Sequence, residues 1–154
     1  MKKLTSAVMA LALFGSVSAQ AEGTQIGTAP LLLASGVTNI SAQFQFGDNA
    51  AIVARINDVS GTYLDTTVDL TSYSLAYKNY LGSYANGLYL ELGGAMFDVA
   101  VSTNSSFTVG SAFIPIAVGG YEWAFNNGIV LGIEAGFGTA GGMGLFGVNT
   151  SYQF

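Results

Sequence analysis

The chain has 154 residues, 51% of them hydrophobic and only 8% charged, with nine acids, four cations, no cysteine and no histidine. A formal charge of −5 is repelled by phosphate backbones and excludes nucleic acid as a partner. The missing cysteines exclude disulfides, thiol chemistry and a lipoprotein anchor.

Lys2 and Lys3 precede an apolar run from Leu4 to Val17 that closes on small residues, the pattern of a secretory signal peptide. Cleavage fits after Ala19 or after Ala21, and Ala21 is preferred, giving a leader over 1–21 and one mature domain over 22–154. The run is shorter than the ~20 residues of a spanning helix, so an uncleaved anchor is disfavoured. Removing both lysines leaves two cations against nine acids, a formal charge of −7.

The mature part reads as strands separated by turn signals. A first strand is expected near 24–34, although Pro30 interrupts its ladder, with Ser35 and Gly36 as its tight return. Strands then follow near 36–46, 50–58, 68–81, 87–99, 110–125, 129–138 and 143–154. Short turns fall at Gly47-Asp48-Asn49, at 82–87 and at Asn126-Asn127-Gly128, whereas the polar stretches 57–69, 98–108 and 138–142 read as longer loops. The last strand alternates Phe146, Val148, Thr150, Tyr152 and Phe154 on one face with Gly147, Asn149, Ser151 and Gln153 on the other.

The fold class expected is all-β: an eight-stranded antiparallel up-and-down transmembrane β-barrel in the bacterial outer membrane. Closure satisfies every backbone group inside lipid and removes edges. A single bent strand over 24–46, which would leave an open or odd-numbered sheet, and a soluble sandwich are the competing architectures.

Charge decides which way each strand faces, because an Arg or Lys turned to mid-depth hydrocarbon costs roughly 2–4 kcal/mol. Turning Arg55, Lys78, Glu91, Glu122 and Glu134 inward sends Ile52, Ile56, Leu75, Leu88, Leu90, Leu131 and Ile133 outward, and every such strand gains an apolar outer face. Gln43 and Gln45 join the interior by the same rule. An eight-stranded barrel is only wide enough for side chains to fill, so the five inward charges are expected to form one hydrogen-bonded network that plugs the lumen. Phe44, Phe46, Tyr121, Trp123, Phe125, Tyr152 and Phe154 fall near strand ends and read as an interfacial aromatic belt. Tyr152 and Phe154 also close the chain as an assembly signal does. The aspartates Asp48, Asp58, Asp65, Asp69 and Asp98 are expected in turns, loops or strand ends.

Short segments carry a resemblance over nearly all of the mature chain: Pro30-Leu31-Leu32, Asn39-Ile40-Ser41, Tyr77-Lys78-Asn79-Tyr80, Asn86-Gly87-Leu88-Tyr89 and the run from Gly120 to Gly128. They resemble small bacterial outer-membrane barrel proteins of a family of unknown function, and more distantly the OmpX and OmpA transmembrane barrels. The resemblance implies a barrel, while the short-looking external loops depart from an adhesin and no peptidoglycan-binding module follows.

An enzymatic reading finds little support. Barrel-class lipid A deacylases and palmitoyl transferases, which the chain resembles only in size and architecture, use a histidine, and none exists here. Ser102, Ser105 and Ser106 have no evident base, and Glu122 with Glu134 reads as structural before acid/base. Asp58, Asp65 and Asp69 match no calcium loop, so neither cofactor nor metal is expected. Small inward residues (Gly93, Ala95, Gly132, Gly136, Gly138, Gly147) leave open an underfilled upper lumen. The function expected is a non-enzymatic barrel with a structural or envelope-integrity role. The alternatives are a narrow channel or small-ligand carrier, and a surface-interaction protein acting through the loops near 59–67 and 101–108. Expected partners are outer-membrane lipid and lipopolysaccharide, and the barrel-assembly machinery during biogenesis, for a protein that is monomeric.

Overall fold

The computed structural model describes residues 23–103, 107–137 and 146–154. The strands are β1 (Thr24–Thr28), β2 (Thr38–Gln45), β3 (Ala50–Tyr63), β4 (Thr66–Tyr80), β5 (Gly87–Ser102), β6 (Phe107–Ala124), β7 (Ile129–Phe137) and β8 (Phe146–Gln153), with one short helix, α1 (Pro30–Ala34), after β1. Each strand pairs antiparallel with the next, and β1 pairs with β8 through Gln25–Gln153, Ile26–Tyr152, Gly27–Ser151 and Thr28–Thr150. The barrel is closed with eight strands, which excludes the bent-strand and sandwich alternatives.

The parity set by charge is the parity of the structure. Arg55, Lys78, Glu91, Glu122, Glu134 and Gln43 are buried, while Leu75, Tyr77, Leu88, Leu90, Leu92, Leu131 and Ile133 are exposed on the outer face. An apolar outside around a charged inside is viable only where the surroundings are hydrocarbon. The protein is accordingly an outer-membrane barrel.

Two expectations need correction. The first strand does not run over 24–34: it ends at Thr28, and Pro30, which has no N–H for a ladder, opens α1 instead. Val37 then donates its N–H to the Leu32 carbonyl at 2.9 Å, and Gly36, at φ +86°, turns the chain back toward β2.

The stretches 57–69 and 98–108 are not long loops. β3 continues to Tyr63 and β4 begins at Thr66, leaving only Leu64 and Asp65, at φ 44° and 62°, as a two-residue hairpin turn. β5 likewise runs to Ser102 and β6 starts at Phe107, where the two residues pair. Above the membrane both faces of a strand meet water, so polarity there does not mark a loop, and the many threonines and valines favour extended backbone. Asp58, Asp69 and Asp98 therefore lie within strands: Asp58 accepts from Thr71 Oγ1 at 2.8 Å, and Asp98 from Ser111 Oγ at 2.7 Å. The leader over 1–21, Ser105, Ser106, the stretch 138–142 and the start of the last strand at 143 lie outside the described residues.

Candidate functional site: the lumen

Five neighbouring strands each turn one ionised side chain inward: Arg55 from β3, Lys78 from β4, Glu91 from β5, Glu122 from β6 and Glu134 from β7. The Arg55 guanidinium meets Glu91 in a fork, Nη1 to Oε1 and Nη2 to Oε2, the second bond at 2.8 Å. Its Nη2 also lies 3.7 Å from Glu134 Oε2. Lys78 Nζ donates to Glu122 Oε1 and, at 3.1 Å, to Gln43 Oε1, and stands 3.8 Å from the Tyr89 ring centre.

Phenols join the ions into one cluster. Tyr80 Oη donates to Glu122 Oε2 at 2.6 Å and accepts from Gln43 Nε2 at 2.7 Å. Tyr89 Oη donates to Glu134 Oε2 at 3.0 Å, and Asn149 Nδ2 reaches the same oxygen at 3.3 Å. Below them the turn between β4 and β5 folds under the barrel, and Tyr84 donates to the Gly23 carbonyl. Tyr80, Tyr84 and Tyr89 pack edge-on and tilted, with ring centres 5.5 and 5.7 Å apart, across the mouth of the barrel at the start of β1.

Opposite the ions the wall is neutral. Gln25, Asn39, Ser41, Gln43, Asn149 and Ser151 line a cavity of about 20 Å³ against Arg55, Lys78 and Glu122, room for one water molecule. Ser151 Oγ donates to Gln25 Oε1 at 2.8 Å, whereas the buried Gln25 Nε2 has no hydrogen-bond partner among the described residues.

At four of the small inward residues a larger side chain would meet its neighbours. A Cβ on Gly132 would strike the Asn149 amide, one on Gly147 the Glu134 carboxylate, and one on Gly93 the backbone of Leu75 and Ala76. Gly136, at φ +146°, presses on Ala117 and Val118 in the same way. Ala95 is part of the buried core, and Gly138 lies outside the described residues.

Phe46, Trp123, Phe125, Tyr152 and Phe154 are exposed on the outer face, with Phe44 and Tyr121 half-buried beside them. They pair as Tyr121–Trp123 at 4.6 Å, Tyr152–Phe154 at 5.1 Å and Phe46–Tyr77 at 5.7 Å between ring centres. Tyr80 and Tyr89 escape a reading that follows charge alone. They stand two residues from Lys78 and Glu91 and so share their parity, which is the signal that finds them.

No protein-family model matches the chain, and no curated protein sequence matches it. Among solved structures it is similar to Ail, the attachment invasion locus protein of Yersinia pestis. Against the crystal structure in complex with the heparin analogue sucrose octasulfate, identity is 13%, covering 86% of this chain and 99% of that one, with a TM-score of 0.49. Against a second crystal structure of Ail the figures are 12%, 86%, 94% and 0.47.

Proposed function

We propose that the protein is a non-enzymatic structural element of the outer membrane whose lumen is plugged by the network of Arg55, Lys78, Glu91, Glu122 and Glu134. The observation that supports this is the cross-linking of five successive strands by Arg55 and Lys78, with the three tyrosines beneath them. A cavity of about 20 Å³ beside the network has room for one water but not for a hydrated ion. In this reading the barrel contributes to envelope integrity as a monomer, bathed by phospholipid and lipopolysaccharide and using no cofactor. The outer aromatics, Phe44, Phe46, Tyr121, Trp123, Phe125, Tyr152 and Phe154, hold its height at the lipid interfaces. Tyr152 and Phe154 serve as the signal read by the barrel-assembly machinery. Planar-bilayer recording tests the plug: wild-type protein is expected to give no steady unitary conductance. Reproducible single-channel steps would replace the plug with the narrow-channel reading.

A surface-interaction role has one observation of its own. Tyr63 and Leu64 are 78% and 79% exposed at the tip of the β3–β4 hairpin, beyond the reach of β2. If that tip is an adhesive surface, Tyr63→Ser with Leu64→Asn abolishes attachment of barrel-coated beads to host cells or matrix. Unchanged attachment, or none by wild type, removes this reading.

A further inference from the structure

The outer face of β5 to β8 is not uniformly ridged. On one rung the outward residues run Leu90, Gly119, Ala135, Phe146, two small residues between two large ones. The rung below reads Leu88, Tyr121, Ile133, Val148, all bulky. The result is an apolar groove of about 730 Å³ that extends down to Leu81 at the periplasmic turn.

Gly119 has no internal reason to be glycine. Its φ is not in the left-handed region, and a Cβ there would meet nothing nearer than the Tyr89 carbonyl at 3.8 Å. The neighbouring Gly120 is different, since a Cβ would run into the Tyr89 ring. A glycine in a strand interior marks a bulge, a tight bend or the close approach of a ligand, and the register of β6 with β5 and with β7 passes Gly119 without a bulge.

Depth identifies what approaches. Gly119 lies five residues above Ala124, the periplasmic end of β6. At about 3.3 Å per residue and a tilt near 40°, that is roughly 13 Å, half of an apolar band about 25 Å tall. The groove thus opens on hydrocarbon and runs from the periplasmic surface to the bilayer midplane, the span of one leaflet's acyl chain.

We propose that this groove is a lipid site that seats one acyl chain of a periplasmic-leaflet phospholipid, with Gly119 and Ala135 as its floor and Leu90, Tyr121, Ile133 and Phe146 as its rims. The proposal rests on the barrel's place in the membrane and not on the plugged lumen. Barrel reconstituted in palmitoyl-oleoyl phosphatidylethanolamine vesicles, then released in mild detergent for native mass spectrometry, is expected to retain one phospholipid. Gly119→Leu and Ala135→Leu each fill the floor and are expected to lose it, while Ala54→Leu, on the outer face of β3, keeps it. Heat-modifiable migration on gels confirms that each variant is folded, and failure of wild type to insert in vesicles would instead count against the membrane placement. A folded wild type without lipid, wild-type occupancy retained in both floor variants, or a dimer mass in place of the lipid adduct would overturn the site, the last in favour of a second copy.

Discussion

Two walls of the same lumen differ in chemistry. β3 to β7 each present one ionised side chain, and β4 and β5 add Tyr80 and Tyr89. The closing wall, β8, β1 and β2, presents amides and hydroxyls and no charge among its described residues, from Asn149 and Ser151 through Gln25 to Asn39, Ser41 and Gln43. A buried ion must find its counter-ion at a fixed distance, so the charged wall tolerates little change. A neutral amide left without one partner forfeits far less, and the closing wall contains such a group in Gln25. The first wall is held by ion pairs, and the second, where β1 meets β8, closes the barrel through neutral hydrogen bonds.

The sharpest way to break this contrast is at Arg55, which faces two of the three lumen carboxylates. Arg55→Ala removes the guanidinium that faces Glu91 and Glu134 and is expected to destabilise the barrel by roughly 3–5 kcal/mol. Urea unfolding in detergent or vesicles reads this directly, and an unchanged midpoint would mean that Arg55 is solvated. Because the loss comes from stranded carboxylates more than from a missing bond, Arg55→Met combined with Glu91→Gln should lose less than the two single changes summed. A coupling of about 1 kcal/mol or more is expected from the double-mutant cycle.

Next in size is Tyr80→Phe. The phenol bridges Gln43 and Glu122, and removing it leaves the Glu122 carboxylate with Lys78 but without its second donor. The expected loss is about 1–3 kcal/mol, by the same unfolding assay, with the barrel still closed. No loss would place Tyr80 outside the network.

The charged wall was also the legible one. In a membrane barrel a single ion sets the parity of its strand, and Arg55, Lys78, Glu91, Glu122 and Glu134 did so for five strands in succession. The outer parts of β3 to β6 were illegible for the converse reason. Outside lipid no side chain is forbidden on either face, so Asn57 to Asp69 resembled a loop while pairing as a hairpin. β1 is shorter than its sequence suggests because Pro30 starts a helix instead of interrupting a ladder. Tyr84 was not legible at all, since a turn carries no alternation from which its inward position could be inferred.

The closing wall supplies the smallest effect and the most discriminating one. Gln25 is buried with Nε2 unpaired among the described residues, while its Oε1 accepts from Ser151. Gln25→Met keeps the length of the side chain, removes the unpaired donor and gives up one neutral hydrogen bond of about 1 kcal/mol. The two changes oppose each other, so the unfolding free energy should move by less than about 1 kcal/mol in either direction. If a water in the 20 Å³ cavity accepts from Nε2, the donor is satisfied and its removal is no longer a relief. Gln25→Met would then destabilise by well over 1 kcal/mol, and the closing wall would be as tightly specified as the charged one.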